Sequence, residues 1–133
     1  EYIHDFEIPN PKTKQFDFMA YKVSKRRYED ISTITGAFFY EKKLNKKPNV
    51  RFAFGGMAGV PKRSKSLENL FKQKSESNLA ENYIEIAIKS DFQPLTDCRA
   101  TSLYRQRVAE NIFKKFLYSV KNTFDINEIE KVS

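Results

Sequence analysis

Two stretches of the sequence, 54–63 and 94–105, combine turn-forming residues with charged side chains and hold the residue types most able to do chemistry. The first reads FGGMAGVPKR and the second reads PLTDCRATSLYR. Neither places a nucleophile beside a base or spaces metal ligands as a metal site requires, which argues against covalent and metal-dependent catalysis. A turn built on glycine or proline, with charged groups at its tip, is suited to presenting backbone and side chains to a ligand or a neighbouring domain.

Four charged side chains in these stretches are candidates for ligand contact. Lys62 and Arg63 stand at the start of a predicted helix, where they form either a solvated pair or a contact for an anion or an acidic partner surface. Asp97 and Arg99 flank Cys98, and their side chains either pair across the turn or contact a ligand. The sequence leaves both alternatives open for each pair.

Asp30 is the carboxylate most suggestive of function. It lies between the basic run 25–27 and an apolar stretch that begins at Ile31, which predicts a position at the mouth of a strand. A carboxylate there can accept a hydrogen bond from the N–H group of a heterocyclic ligand. The alternative is a salt bridge with Arg26 or Arg27.

Three other features are better explained by structure than by chemistry. His4 is the only histidine and has no second ligand type at a metal-binding spacing, so a metal site is not predicted. Cys98 lies beside Arg99 and a predicted helix start, which can activate a thiol, but a small side chain filling a loop is favoured. Gly55 and Gly56 lack the spacing of a dinucleotide fingerprint or a P-loop, so a structural turn is favoured.

Composition indicates one soluble domain. The 133 residues are 40% apolar and 31% charged, and 12 Phe with 7 Tyr can build a core without crosslinks. The single cysteine cannot form an internal disulfide, which indicates a reducing compartment, and we expect the protein to be cytoplasmic. No apolar run approaches the ~20 residues of a membrane helix. Because the chain begins without Met, we expect it to be part of a longer protein.

The formal net charge of +7 raises the possibility of nucleic-acid binding. The basic residues are nevertheless scattered along the chain and interrupted by acidic residues, and the aromatics follow strand or helix periods instead of alternating with the charges. A nucleic-acid footprint requires a basic stripe with aromatics available for stacking. The pattern therefore favours a solvated basic surface or a docking face for another domain.

Periodicity predicts strands followed by helices. Strands are predicted at 1–9, 15–24, 30–40 and 50–54, with a hairpin turn at 45–49. Helices are predicted from Pro61 through Leu70 and Phe71, over 78–89, and over 101–124 with Thr101 as the N-cap. The apolar stripe of the last helix includes Leu103, Tyr104 and Phe116, and Arg105 lies off it. Residues 72–78 are predicted to be a loop and 125–133 a frayed tail. This order is typical of an α+β domain, with an antiparallel sheet of three to four strands packed against about three helices on one face.

Short motifs spread over almost the whole chain resemble one family. They are 1–3, 8–9, 21–26, 29–32, 36–38, 53–58, 61–63, 94–97, 99–100, 104–105, 108–109 and 111. In this order they resemble the C-terminal domain of the FAD-binding portion of molybdenum hydroxylases, the xanthine dehydrogenase and carbon monoxide dehydrogenase flavoprotein family. The resemblance implies that residues 1–133 are a single domain, the C-terminal half of an FAD-binding module.

The resemblance also implies cofactors and partners. In such enzymes a molybdenum cofactor oxidises the substrate, and electrons pass through [2Fe-2S] clusters to FAD and then to NAD or another acceptor. Asp30 is expected beside the isoalloxazine ring, with Lys62, Arg63, Asp97 and Arg99 near the flavin end and Leu70 as an apolar flavin contact. The expected partners are the N-terminal FAD-binding half, an iron–sulfur domain and a molybdenum subunit.

The chain departs from the family pattern at 64–77, which is more polar than the resemblance implies. It also carries no Gly-rich pyrophosphate loop, so it is not expected to be an enzyme on its own. Two alternatives remain at this stage. One is a non-catalytic interaction domain that keeps the fold but has lost flavin, and the other is a small basic nucleic-acid-binding module.

Overall fold

The computed structural model describes residues 2–7, 16–26, 30–41, 47–73 and 81–129, with side chains described as far as Val120. The sheet consists of β1 (Phe16–Val23), β2 (Ile34–Glu41), β3 (Asn49–Gly55) and β4 (Lys62–Arg63), and the helices are α1 (Lys65–Gln73), α2 (Glu81–Asp91) and α3 (Ser102–Ile129). Each strand pairs antiparallel with the next, in the order β1-β2-β3-β4. The predicted α+β class and antiparallel sheet are confirmed.

Period-two patterning places large side chains on one face of the sheet. Val50, Phe52 and Phe54 of β3 are buried, as the alternation predicts, and Phe38 and Tyr40 of β2 are buried beside them. α3 packs across this face against β2, and α1 packs on β3. α2 packs against both α1 and α3. The helices therefore cover a single face of the sheet.

Aromatic rings form the centre of the core. Phe38 and Phe52 lie edge to face at 6.1 Å, and each ring also meets Phe113 of α3, at 5.5 and 4.9 Å. Phe116, one turn further along α3, is fully buried against both strands. Edge-to-face packing aligns the positive edge of one ring with the negative face of the next, so this cluster gains more than its buried area alone supplies.

Two strand predictions need correction. Residues 2–7 are not a strand, because no described strand pairs with this segment. Tyr2 and Phe6 are highly exposed. Glu1 and 8–9 lie outside the described residues. The strand predicted over 30–40 begins only at Ile34. Residues 30–33 instead close the preceding loop, where Thr33 N donates to Val23 O at 2.8 Å.

The helix predicted from Pro61 is also corrected. Lys62 and Arg63 pair with Phe54 and Ala53 as the short strand β4, so their backbone is extended. The helix begins at Lys65, after Ser64 accepts hydrogen bonds from Leu67 N through its Oγ (3.4 Å) and from Glu68 N through its carbonyl (3.1 Å). A serine N-cap, which satisfies otherwise unpaired N–H groups, sets the start.

The remaining boundaries differ less. α1 continues to Gln73 in the predicted loop, α2 ends at Asp91, and α3 continues to Ile129 in the predicted tail. Residues 42–46, 74–80 and 130–133, which include parts of the predicted turn, loop, second helix and tail, lie outside the described residues. No helix in the described part is both long and apolar enough to span a membrane.

Candidate functional site

The candidate site lies where β1 ends, β2 begins and β3 ends. Val23 pairs with Ile34, and Thr35 pairs with Gly55, so the segments beyond these residues emerge from the same end of the sheet. A third segment, which joins α2 to α3, reaches the same place, since Lys25 Nζ donates to Cys98 O at 2.9 Å. We call this region the three-loop end; its loops are 24–33, 56–61 and 92–101, and residues 27–29 lie outside the described part.

Arg105 joins the three loops. Its guanidinium donates to Thr33 O at 2.6 Å, to Gly56 O at 2.8 Å and to both carboxylate oxygens of Asp97 at 2.8 Å. The residue is 5% exposed, although it stands in the first turns of α3 with a charged side chain. A planar guanidinium with several fixed donors can hold acceptors from separate chain segments in one geometry, which a lysine cannot do.

The helical pattern did not predict this role, because it places Arg105 off the apolar stripe of α3. The structure buries Arg105 and leaves Leu103 and Tyr104, which were expected on the stripe, 55% and 48% exposed. The first turns of α3 meet loops instead of the apolar sheet face. A signal was present: Arg105 is four residues before Ala109 and eight before Phe113, both buried, so a charge occupies a position of core spacing.

Asp97 is committed to the third loop. Its Oδ1 accepts from Ala100 N at 3.1 Å and from Arg99 N at 2.9 Å, in addition to the pair with Arg105. These hydrogen bonds, the one from Ala100 N foremost, then Arg99 N and the Arg105 guanidinium, lower the pKa of Asp97 from 3.8 to about 2. The carboxylate pairs with Arg105, while its bond with Arg99 is to the backbone, so side-chain pairing across the turn is not observed.

Asp30 lies in the first loop and shapes it. Its Oδ2 accepts from Arg26 N at 3.1 Å. This backbone hydrogen bond, with a smaller contribution from the Arg26 charge, lowers the pKa of the Asp30 carboxyl. In place of the alternative, a salt bridge with Arg26, the main interaction is therefore a loop-closing hydrogen bond from Arg26 N. Arg27 lies outside the described residues.

A cavity of about 360 Å³ opens between the first and third loops. Its lining residues are Ser24, Lys25, Thr33, Arg99, Ala100, Thr101 and Tyr104. Among the described residues the lining has two cationic side chains, four side chains with a hydroxyl group and no carboxylate. Such a lining favours an anionic or electron-rich ligand over a cationic one. The cavity volume is in the range of small-ligand sites in proteins.

Two threonine hydroxyls of the third loop accept hydrogen bonds from the start of α3. Thr101 is the predicted N-cap of α3, and its Oγ1 accepts from Tyr104 N at 3.2 Å. Thr96 Oγ1 accepts from Ser102 N at 2.9 Å, so the first N–H groups of the helix are already satisfied. Ligand recognition here therefore falls to the side chains and not to the helix N-terminus.

Of the six predicted site residues, only Arg99 lines the cavity, and three of the others have their contacts elsewhere in the domain. Lys62 Nζ donates to Asp91 O at 2.8 Å and lies 5.6 Å from the centroid of the Phe92 ring. Arg63 forms a bidentate pair with Glu68, with both bonds at 2.7 Å, and this hydrogen bonding raises the pKa of Arg63. Leu70 is partly buried against the core. Arg99 thus lines the cavity, while Asp97 and Asp30 belong to the loops that form it. Lys62, Arg63 and Leu70 do not line it.

The two glycines of the 56–61 turn serve packing. Gly56 has a φ of +78°, and a Cβ there would collide with the Thr33 carbonyl oxygen. A Cβ at Gly55 would collide with Thr35 Oγ1. Both approaches are to protein atoms of the neighbouring strand and loop, so the favoured interpretation, a structural turn, is confirmed.

His4 and Cys98 show no catalytic arrangement. His4 is exposed and lies 3.3 Å from Asp5, and Cys98 is an exposed free thiol in the third loop. Among the described residues no three His, Cys, Asp or Glu side chains are grouped as a metal site requires.

Comparison with known proteins identifies relatives of this fold. Residues 19–120 match the CO dehydrogenase flavoprotein C-terminal domain family. The structure is similar to carbon monoxide dehydrogenase from Hydrogenophaga pseudoflava lacking the Mo-pyranopterin moiety (19% identity, TM-score 0.62), covering 77% of this chain and 36% of that one. It is also similar to reconstituted CO dehydrogenase from Oligotropha carboxidovorans (16%, 0.67, covering 81% and 37%) and to quinoline 2-oxidoreductase from Pseudomonas putida 86 (15%, 0.64, covering 84% and 38%).

Comparison with curated protein sequences gives no match. At 15–19% identity the structural similarities establish a shared fold, and this chain spans little more than a third of each matched chain. The family match covers 19–120, so it begins within β1 and ends within α3, and it includes all three loops of the three-loop end. The chain therefore belongs to the CO dehydrogenase flavoprotein C-terminal domain family.

Proposed function

We propose that this chain is the C-terminal part of the FAD domain of a xanthine dehydrogenase-like oxidoreductase. In the complete enzyme it covers the flavin that passes electrons from iron–sulfur clusters to NAD or another acceptor. The observation that carries this proposal is the three-loop end: on a fold of the flavoprotein family, a cationic, hydroxyl-lined cavity adjoins a loop that carries Asp30.

The polar groups present there fit the ring end of a flavin. The lowered pKa of Asp30 keeps its carboxylate ionised at neutral pH, so it can accept a hydrogen bond from an N–H of the ring system. Lys25 and Arg99 line the adjoining cavity and would face electron-rich carbonyl oxygens or negative charge on the ring. Tyr104, 48% exposed, offers an aromatic face beside them.

The other predicted contact residues already have partners within the domain. Asp97 acts through its loop, because its carboxylate already accepts hydrogen bonds from Ala100 N, Arg99 N and Arg105. Lys62, Arg63 and Leu70 remain predicted flavin contacts, and each already has partners within the domain. Asp30 and Arg99 are therefore the first residues to test.

The pyrophosphate of FAD is assigned to the N-terminal FAD-binding half. A pyrophosphate cradle needs several backbone N–H groups aimed at one point, and Gly55 and Gly56 instead pack against Thr35 and Thr33. The matched chains are more than twice as long as the region covered, which leaves room for such a half. When bound, FAD supplies the electron transfer, and this chain supplies side chains that orient the ring and restrict its access to water.

The complete enzyme is proposed to have an iron–sulfur domain with [2Fe-2S] clusters and a molybdenum subunit as further partners. The carbon monoxide dehydrogenase relatives are described with a molybdenum cofactor, which is consistent with this assembly. We place the enzyme in the cytoplasm, since Cys98 is an exposed free thiol and such thiols persist in reducing compartments.

The test is the full-length protein purified with its natural subunits. We expect a bound flavin, visible in the absorption spectrum, that becomes reduced when substrate electrons enter. Asp30→Asn should alter the flavin spectrum or its reoxidation, whereas Asp5→Asn, at an exposed carboxylate of the N-terminal segment, should not. A full-length protein that folds, assembles and holds no flavin would support the interaction-domain alternative, and salt-dependent oligonucleotide binding would support the nucleic-acid alternative.

A further inference from the structure

Arg105 is a charged residue whose side chain is buried in the protein interior. It bonds to a residue 72 positions before it, to another 49 positions before it and to the carboxylate eight positions before it. Each partner belongs to a different loop of the three-loop end. A single side chain therefore bonds to all three loops at once.

Stability alone does not explain the choice of arginine. Apolar side chains of similar volume at buried ion-pair positions often stabilise a protein as well or better. In addition, Arg105 Nε is buried without a hydrogen-bond partner among the described residues, so the arrangement carries an unsatisfied polar atom. What arginine supplies and an apolar residue does not is direction, because its bonds fix two carbonyls and a carboxylate at defined angles.

The three partners lie close to the groups proposed to meet the flavin. Thr33 lines the cavity and follows Asp30 by three residues, and Asp97 holds the backbone N–H of Arg99. Gly56 can approach Thr33 only because it lacks a Cβ. A change in the guanidinium position would therefore move Asp30 and Arg99 together.

We propose that Arg105 is a positioning residue: it couples the three loops into one unit and so sets Asp30 and Arg99 against the flavin without touching it. This inference rests on the proposed function for the flavin, whereas the coupling of the loops does not. The two parts have separate readouts.

Loop coupling is tested by amide hydrogen exchange in the full-length protein carrying Arg105→Met or Arg105→Lys. Both variants keep a long side chain, and neither can make the full set of guanidinium bonds. Exchange should rise at least about tenfold in 24–33, 56–61 and 94–101 together, since local opening free energies govern exchange. The control is Phe71→Leu, which loosens the contacts of α1 with Tyr40 and Phe52 and should leave the three loops protected.

Positioning is tested by the visible circular dichroism of the bound flavin and by the FAD dissociation rate. Both should change in the Arg105 variants and remain at parental values in Phe71→Leu. Reoxidation of the dithionite-reduced flavin by NAD should slow by roughly ten- to a hundredfold, the scale expected when reacting groups are misplaced by about an ångström.

Each outcome decides one part of the inference. Faster exchange in one loop only, or equally in Phe71→Leu, would overturn the coupling. Coupled loops with an unchanged flavin signal would overturn the positioning role alone. A parental protein without flavin would refute the proposed function, and the exchange result would still stand. If the Arg105 variants do not fold, Asp97→Asn breaks the same pair from its exposed side. Exchange should then rise in all three loops, and a rise in 92–101 alone would overturn the coupling.

Discussion

Different kinds of interaction hold the buried aromatic core and the largely exposed three-loop end. In the core, many ring pairs share the stabilisation, so no single pair carries it alone. The rings belong to Phe38, Phe52, Phe113 and Phe116. At the three-loop end one residue, Arg105, bonds to all three loops, and one further bond, from Lys25 to Cys98 O, joins the first loop to the third. Many contacts therefore share the stabilisation of the core, whereas the arrangement of the three-loop end depends largely on one side chain.

This difference indicates which amino-acid substitutions each region tolerates. Apolar packing has no preferred direction and accepts substitutions that conserve volume. Charge-assisted hydrogen bonds depend on angle and distance, so replacing the guanidinium by an ammonium removes most of them. We therefore expect core substitutions to change the free energy of unfolding, and loop-end substitutions to change local geometry more than global stability.

The largest expected effect is in the core. Phe116→Ala should lower the free energy of unfolding by roughly 3–5 kcal/mol, because it removes a fully buried ring and leaves a cavity between α3 and the sheet. Phe116→Leu, which keeps more of the volume, should cost less. Urea unfolding of both variants measures this. A midpoint close to the parent for Phe116→Ala would show that the apolar stripe of α3 faces a partner and not this core.

A second buried charge pair sharpens the contrast with Arg105. Glu68 is almost fully buried, accepts from Phe52 N at 3.1 Å and pairs with Arg63, whose side chain remains 40% exposed. Glu68→Gln should cost about 1–3 kcal/mol, since it weakens the bonds to Phe52 N and Arg63 in the interior. Unlike Arg105→Met, it should leave exchange in the three loops unchanged. Loosened loops in Glu68→Gln would mean that the two pairs belong to one network.

Acid should release the three-loop end at a defined pH. The folded-state pKa of Asp97 lies below its ordinary value, so its stabilisation is fully present above pH 3.8 and is lost as the pH falls through about 2. The stability difference between the parent and Asp97→Asn should therefore be constant above pH 4 and shrink below it. Urea unfolding at several pH values measures this difference. A difference that stays constant down to pH 2 would show that Asp97 titrates alike in both states.

Asp30 should affect chemistry without affecting the core. Asp30→Ala in the complete enzyme should slow flavin reoxidation and shift the flavin potential, while the unfolding midpoint moves less than in Phe116→Ala. The reason is that the carboxylate closes an exposed loop through Arg26 N and contributes nothing to the aromatic core. Redox titration and stopped-flow reoxidation provide the measurement. Parental values of both would remove Asp30 from the flavin site.

The smallest effect is expected when the isolated chain, residues 1–133, meets FAD. Only the ring end of the ligand can be contacted, so most of it stays in water and the contacts cannot offset the lost translational freedom. We expect a dissociation constant no better than about millimolar. Titration followed by flavin fluorescence or calorimetry tests this. Micromolar binding would show that most of the cofactor site lies within this chain, contrary to the proposed division between halves.

The sequence by itself determined the fold class and most of the sheet. Alternation in 50–54 predicts the buried face of β3, and the pattern of 15–24 predicts β1 nearly to the residue, because side chains alternate between faces in any strand. Thr101 was predicted as the cap of α3 for a similarly local reason, since a cap bonds within its own turn. The resemblance of short motifs to the flavoprotein family is confirmed by the family match.

Only the tertiary structure decided how the loops meet. The short strand β4 forms where a helix start was predicted, because Lys62 and Arg63 find β3 as a pairing partner that no local pattern specifies. Arg105 carries a charge and was predicted to lie off the apolar stripe of α3, yet it is buried, since its acceptors lie 72, 49 and eight residues away and come together only when the sheet is formed. Period and propensity report on neighbours in sequence, whereas directional bonds between distant loops depend on the folded chain.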